Sequence, residues 1–233
     1  MWRAQIEGVA AAHMTIAYDR RGFGETVAYE EAHSPVEDLL AVVDALAPAR
    51  PATLIACSQG GRIALDFALR HPSRMASLVL IAPSISGAPE PVYPPEIKAL
   101  TASLAAAEAA QDWDRVSAIK AHLWVDGPLQ REGRISGEPR ETFLKKNAAA
   151  LRAPPTGATL DVAPAFPRLA EIVAPSLVIR GTWTFLTSSS EAGCSPQQCR
   201  TGSGHELAGT AHLPSLERPQ EVMRLIADFL ARS

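Results

Sequence analysis

The chain has 233 residues, 47% hydrophobic and 20% charged, and its 22 Lys+Arg against 25 Asp+Glu give a net charge of −3. This composition excludes a disordered tail protein, and without a basic run the chain lacks the phosphate-neutralising footprint of a nucleic-acid binder. No apolar stretch approaches the roughly 20 residues of a membrane span, and the start, Met1-Trp-Arg-Ala-Gln-Ile-Glu, carries charge where a signal peptide places its apolar core. Three cysteines, Cys57, Cys194 and Cys199, form no disulfide framework and fit a reducing compartment. The expectation is a cytoplasmic protein with no membrane or nucleic-acid partner.

Taken in chain order, short runs rich in Val, Ile and Leu alternate with segments of helical period, the pattern of a parallel sheet covered by helices. The fold class is α/β. A helix is predicted over Trp2 to Ala12, then a strand over Met14 to Tyr18, a helix over Pro35 to Leu46, a strand over Ala52 to Cys57 and a helix over Gly60 to Arg70 that Pro72 stops. A strand over Ser77 to Ala82 follows. From about Ile85 to Ala170 the alternation gives way to helices at Pro95 to Ala110, Trp113 to Trp124 and Arg140 to Leu151, which read as an insertion. The strand at Ser176 to Arg180 resumes the pattern, and an amphipathic helix at Pro219 to Ala231 closes it. The organisation is therefore a core portion at 1–84, a helical lid at 85–170 and a completing core portion at 171–233.

The most specific stretch is T-L-I-A-C-S-Q-G-G-R-I-A-L at 53–65, an apolar strand, a serine between small residues and a helix opening on two glycines. This is the form of a nucleophile elbow, whose strained turn lifts the Ser58 hydroxyl clear of the sheet and aims the next helix's N–H groups at it. Two further segments accompany it. A-Y-D-R-R-G-F-G-E-T at 17–26 is a charged Gly-x-Gly loop read as a salt-bridged turn, and G-T-A-H-L-P-S-L-E-R-P at 209–219 sets His212 in a loop before the last helix. The other histidines, 13, 33, 71, 122 and 205, read as solvated or capping.

With these three motifs in this order the chain resembles the α/β-hydrolase family, in its esterase, enol-lactonase and haloperoxidase-like branch. The resemblance implies a mostly parallel sheet flanked by helices with a helical lid. It makes Ser58 the nucleophile, His212 the general base and then acid, and the N–H of Gln59 an oxyanion donor; it implies no cofactor and no metal. Two parts of the family pattern are not found. The strands and His-Gly loop that precede the first helix, with a second oxyanion N–H, have no counterpart, so an exposed sheet edge or a homo-oligomer is expected. The position of the triad acid holds Thr184, and a neutral residue there costs about 10⁴ in kcat in the worked serine-protease case.

The window 182–204 carries two of the cysteines, five serines and four threonines and shows neither helical nor strand period. One codon choice for residues 181–190, read one base out of frame, gives Asp-Leu-Asp-Phe-Pro-His-Ile-Val-Glu, which resembles the family's acid loop; the window reads as translated out of frame. A metal site on Cys194, Cys199 and His205 lacks a fourth ligand and is the weaker reading. Glu191 and Glu206 are the carboxylates nearest in sequence that could replace the acid. The resulting expectation is a serine hydrolase that cleaves an ester or lactone of a small apolar substrate through an acyl-enzyme. The rival is a truncated, catalytically impaired homologue.

Overall fold

The computed structural model describes residues 2–185 and 202–232. Four strands, β1 (Ala52–Cys57), β2 (Met75–Ile81), β3 (Ser176–Gly181) and β4 (Gly202–Leu207), form one parallel sheet in the order β1-β2-β3-β4. Alternation along the strands divides the core. Leu78, Leu80 and Val178 face α2 (Pro35–Leu46) and α3 (Gln59–Arg70), where they pack with Val36, Leu39, Val43 and Phe67. Val79, Ile81, Leu177 and Ile179 face the other way, with Val9 of α1 (Arg3–Ala10) and Val222, Ile226 and Phe229 of the final helix, Pro219–Leu230. Both faces of the sheet are thus covered, as the unbroken apolar runs of its central strands require.

Register levels the carboxyl ends of the strands. Cys57 lies opposite Ile81, Ile81 opposite Ile179 and Gly181 opposite Leu207, so the loops after all four strands open at one edge of the sheet. Above that edge sits the helical segment, with α4 (Pro95–Ala109), α5 (Trp113–Ala121) and α6 (Glu138–Leu151). It joins the core through Ala121, Val125 and Phe143. The helix expected to continue to Trp124 changes pitch instead, and His122–Asp126 form a single π turn. Buried Asp126 ends it, accepting the N–H groups of Gly133 and Ile135 at 2.9 and 3.0 Å and pairing with Arg140 at 2.7 Å.

Two expectations need correcting. Met14 to Tyr18 has no regular secondary structure and pairs with no strand among the described residues, and Met14 is 73% exposed. An apolar run becomes a strand only when a ladder partner takes its N–H and C=O groups, and here the sheet ends at β1. Conversely, Gly202–Leu207 is a strand although its first residues belong to a window without strand period. Its glycines disfavour the conformation, and six parallel pairings, from Ser176 with Gly202 to Gly181 with Leu207, impose it.

Candidate active site

Ser58 stands between β1 and α3 with φ 51° and ψ −118°, a conformation that costs a non-glycine residue about 1–3 kcal/mol. Hydrogen bonds on both sides hold it there: its N–H donates to the Ile81 carbonyl at 3.0 Å, and its own carbonyl accepts the Ser84 N–H at 3.0 Å. The small neighbours of the serine have distinct reasons. A Cβ at Gly61 would lie 2.7 Å from that of Pro83, so only glycine lets the helix approach the loop after β2. At Gly60 an added Cβ would meet the Ala56 methyl at 3.9 Å, ordinary contact, and Ala56 therefore fits where the family pattern has a glycine. Gln59 opens α3, where helix geometry leaves the first N–H groups without intrahelical acceptors. Its side-chain Oε1 accepts from Arg20 at 2.9 Å.

The charged 17–26 loop is held much as its composition suggests. Arg21 pairs with Asp38 at 2.8 Å and Glu31 at 2.7 Å, while Asp19 accepts the N–H of Glu25 at 3.3 Å. Arg20 stacks on Phe23 with its guanidinium carbon 4.3 Å from the ring centroid.

His212 is 1% exposed, at the end of a buried Thr210-Ala-His stretch. A Cβ on Gly181 would overlap the carbonyl oxygens of Thr210 and Ala211, so the glycine ending β3 is what admits this stretch. The imidazole is engaged by hydroxyls at both nitrogens. Nε2 lies 2.8 Å from Ser58 Oγ, and Nδ1 lies 2.8 Å from Thr184 Oγ1. Thr184 itself is placed by its N–H to the Gly181 carbonyl at 3.3 Å and by the neighbouring Trp183 N–H to the Thr210 carbonyl at 2.9 Å. Burial pushes the His212 pKa down to about 4, through the loss of hydration of its charged form. A carboxylate at Nδ1 can only accept, which forces the proton onto Nδ1 and leaves Nε2 free to take one from serine. A threonine hydroxyl both donates and accepts, so it orients the ring without fixing the tautomer.

Of the other sequence candidates, Glu206 sits on β4 and pairs with Arg180 at 2.9 Å, not with the imidazole. Glu191, Cys194, Cys199 and most of the window read as out of frame lie outside the described residues. His71 and His122 follow α3 and α5, with His122 Nε2 2.9 Å from the Gln130 carbonyl and His71 3.3 Å from Glu37.

Two features of the site go beyond the residues that the motifs single out, the pair of Glu217 with Arg134, and Trp124 of the apolar Leu123-Trp-Val run, which by its composition suggests a pocket lining. Glu217 ends α7 (Pro214–Glu217), its side chain 8% exposed, and its Oε2 accepts the N–H of Ala211 at 3.0 Å, directly before His212. The same carboxylate is held by Arg134 of the helical segment through two bonds of 2.7 and 3.0 Å. Arg134 also donates to the carbonyls of Asp126 and Val125 and lies 4.7 Å over the Trp183 ring. The second feature is Trp124 on the π turn, whose ring centroid is 6.4 Å from that of His212. Neither the Arg134–Glu217 pair, 83 residues apart, nor a change of helical pitch leaves a periodic trace in sequence.

A family model described as the alpha/beta hydrolase fold matches residues 1–219. The chain belongs to the α/β-hydrolase family. Among curated α/β-hydrolase relatives it is similar to the RutD protein of Variovorax paradoxus (strain S110), which its name assigns to carbamate hydrolysis, at 36% identity over 85 residues. That match spans 34% of this chain and 32% of the relative, about a third of its length. Among solved structures, an esterase from Thermogutta terrifontis superposes with a TM-score of 0.73 at 21% identity, covering 99% of this chain and 84% of that one. The hydrolase MGS-M2 from a Medee basin deep-sea metagenome library gives 0.75 at 18%, covering 100% and 84%. At these identities the likeness is one of fold. Among the described residues no helix is long and apolar enough to cross a membrane.

Proposed function

We propose that this α/β-hydrolase is a serine hydrolase that cleaves a carboxylic ester or lactone of a small, largely apolar substrate through an acyl-enzyme. The observation that carries the proposal is the 2.8 Å contact between Ser58 Oγ and His212 Nε2, made by a serine on a strained strand-to-helix turn. Ser58 attacks the carbonyl carbon as its proton passes to Nε2, and the oxyanion that forms accepts from the N–H of Gln59. The imidazolium returns the proton to the departing alcohol oxygen. Water then repeats the cycle on the acyl-Ser58 ester with His212 again as base.

No cofactor enters this chemistry, and its partner is the small-molecule ester or lactone itself. The carbamate named for the RutD relative poses the same acyl-transfer problem at a less electrophilic carbonyl and belongs in the substrate panel. Thr184 at Nδ1 gives substance to the second reading, a catalytically impaired homologue. One experiment separates them. A fluorophosphonate probe should label the wild-type protein and leave Ser58→Ala unlabelled, and short p-nitrophenyl esters should be turned over only by the wild type. Wild-type protein that neither labels nor turns over ester would establish the impaired reading.

A further inference from the structure

The π turn at His122–Asp126 places an aromatic residue where an ordinary α turn would not, and such single π turns accompany functional sites. Its Trp124 is wedged from several sides. Phe143 meets it edge-on at 5.9 Å, the Lys120 ammonium lies 5.7 Å from its ring centroid, and the His212 ring lies 6.4 Å away. The turn itself is pinned by buried Asp126 and by the His122 contact to Gln130. Although part of the side chain reaches the surface, the indole nitrogen is fully buried and has no hydrogen-bond partner among the described residues. A buried donor left unpaired costs about 1–3 kcal/mol, and a phenylalanine at this position would avoid it. An indole whose ring is braced this firmly 6.4 Å from the imidazole ring, yet whose N–H is unused among the described residues, is left for an acceptor that arrives with the substrate.

Which part of the substrate that is follows from the proton path, and here the inference rests on the reading of Ser58 and His212 given above. The imidazole hands its proton to the departing oxygen, so a group beside the imidazole faces the alcohol half of the ester. We propose that Trp124 is a specificity-determining residue whose indole N–H binds an oxygen acceptor on the leaving group, so that the preferred substrates are esters of oxygen-bearing alcohols rather than of plain alkyl ones.

An isosteric pair tests this, 2-methoxyethyl acetate against n-butyl acetate, which differ by one oxygen in place of a methylene. Wild-type kcat/KM should favour the methoxyethyl ester about 10-fold, the factor that one hydrogen bond of about 1.4 kcal/mol supplies. In Trp124→Phe the ratio of the two kcat/KM values should fall to about 1, through a loss on the methoxyethyl ester larger than any loss on the butyl ester. A wild type without preference, or a variant that loses both esters equally, overturns the proposal. If neither ester is hydrolysed, the nucleophile reading fails by itself, and binding decides the role of Trp124. The indole N–H resonance, assigned by its loss in Trp124→Phe, should move downfield with N-(2-methoxyethyl)acetamide and stay in place with N-butylacetamide. Equal shifts, or none, overturn it.

Discussion

A hydroxyl at Nδ1 leaves the imidazole neutral and oriented, with no carboxylate on that nitrogen among the described residues. That combination makes a sharp prediction for Thr184→Asp. A carboxylate hydrogen-bonded to Nδ1 would enforce the productive tautomer and stabilise the imidazolium formed in the transition state, and kcat should rise by about 10²- to 10⁴-fold. The same charge favours the protonated ring, so the imidazole pKa rises from about 4 toward its ordinary range. Wild-type kcat/KM should hold nearly flat from pH 8 down to about 5, since the free-enzyme base titrates only near 4. In the variant the acid limb moves upward by one to two pH units. A pH–rate profile of both proteins checks the two effects together, and a faster variant with an unmoved limb would mean the new carboxylate is not on Nδ1.

Among the elements, β3 carries the histidine loop through one missing methyl. Gly181→Ala would drive the Thr210–Ala211 backbone away and take His212 with it. Overpacking of this kind costs about 1–3 kcal/mol, too little to unfold a domain. The rate of fluorophosphonate labelling at Ser58 should therefore fall more than about 10-fold while far-UV circular dichroism stays unchanged. How far the elements were legible in sequence follows the same logic of partners. Pro35–Leu46 and Ala52–Cys57 begin and end at the predicted residues because local signals set them: the Ser34 side chain accepts the Glu37 N–H, Pro35 sits at the first helical position, and a strained turn ends the strand. Met14 to Tyr18 and Gly202–Leu207 were misread because pairing, supplied from 26 residues away for the latter and not made for the former, overrides composition. At the site, Ser58, Gln59 and His212 stood in motifs. Trp124 stood in an apolar run that suggests a pocket lining, whereas Arg134 reaches the site by tertiary contact alone.

For the whole molecule, the buried neutral histidine ties stability to pH. The folded-state pKa of His212, about 4, lies below its unfolded value near 6.5, so the unfolded chain binds the proton first as acid is added. Its contribution is intact above about pH 6.5 and is lost as pH falls through 4, by up to about 3 kcal/mol. For a chain of this size that is a drop in Tm of about 6–12 °C, which calorimetry between pH 7 and 4 would register and His212→Asn would flatten.

The contact between Arg134 and Glu217 bears on how such a protein can change. Replacing the helical segment at 85–170 wholesale is the obvious way to alter the surroundings of His212. That segment cannot be exchanged as a cassette: a graft without an arginine at this place leaves a buried carboxylate uncompensated against the backbone that carries His212. The helical segment and the histidine loop are coupled through this pair, and substitutions that leave the coupling intact are confined to positions of the segment that do not touch Glu217.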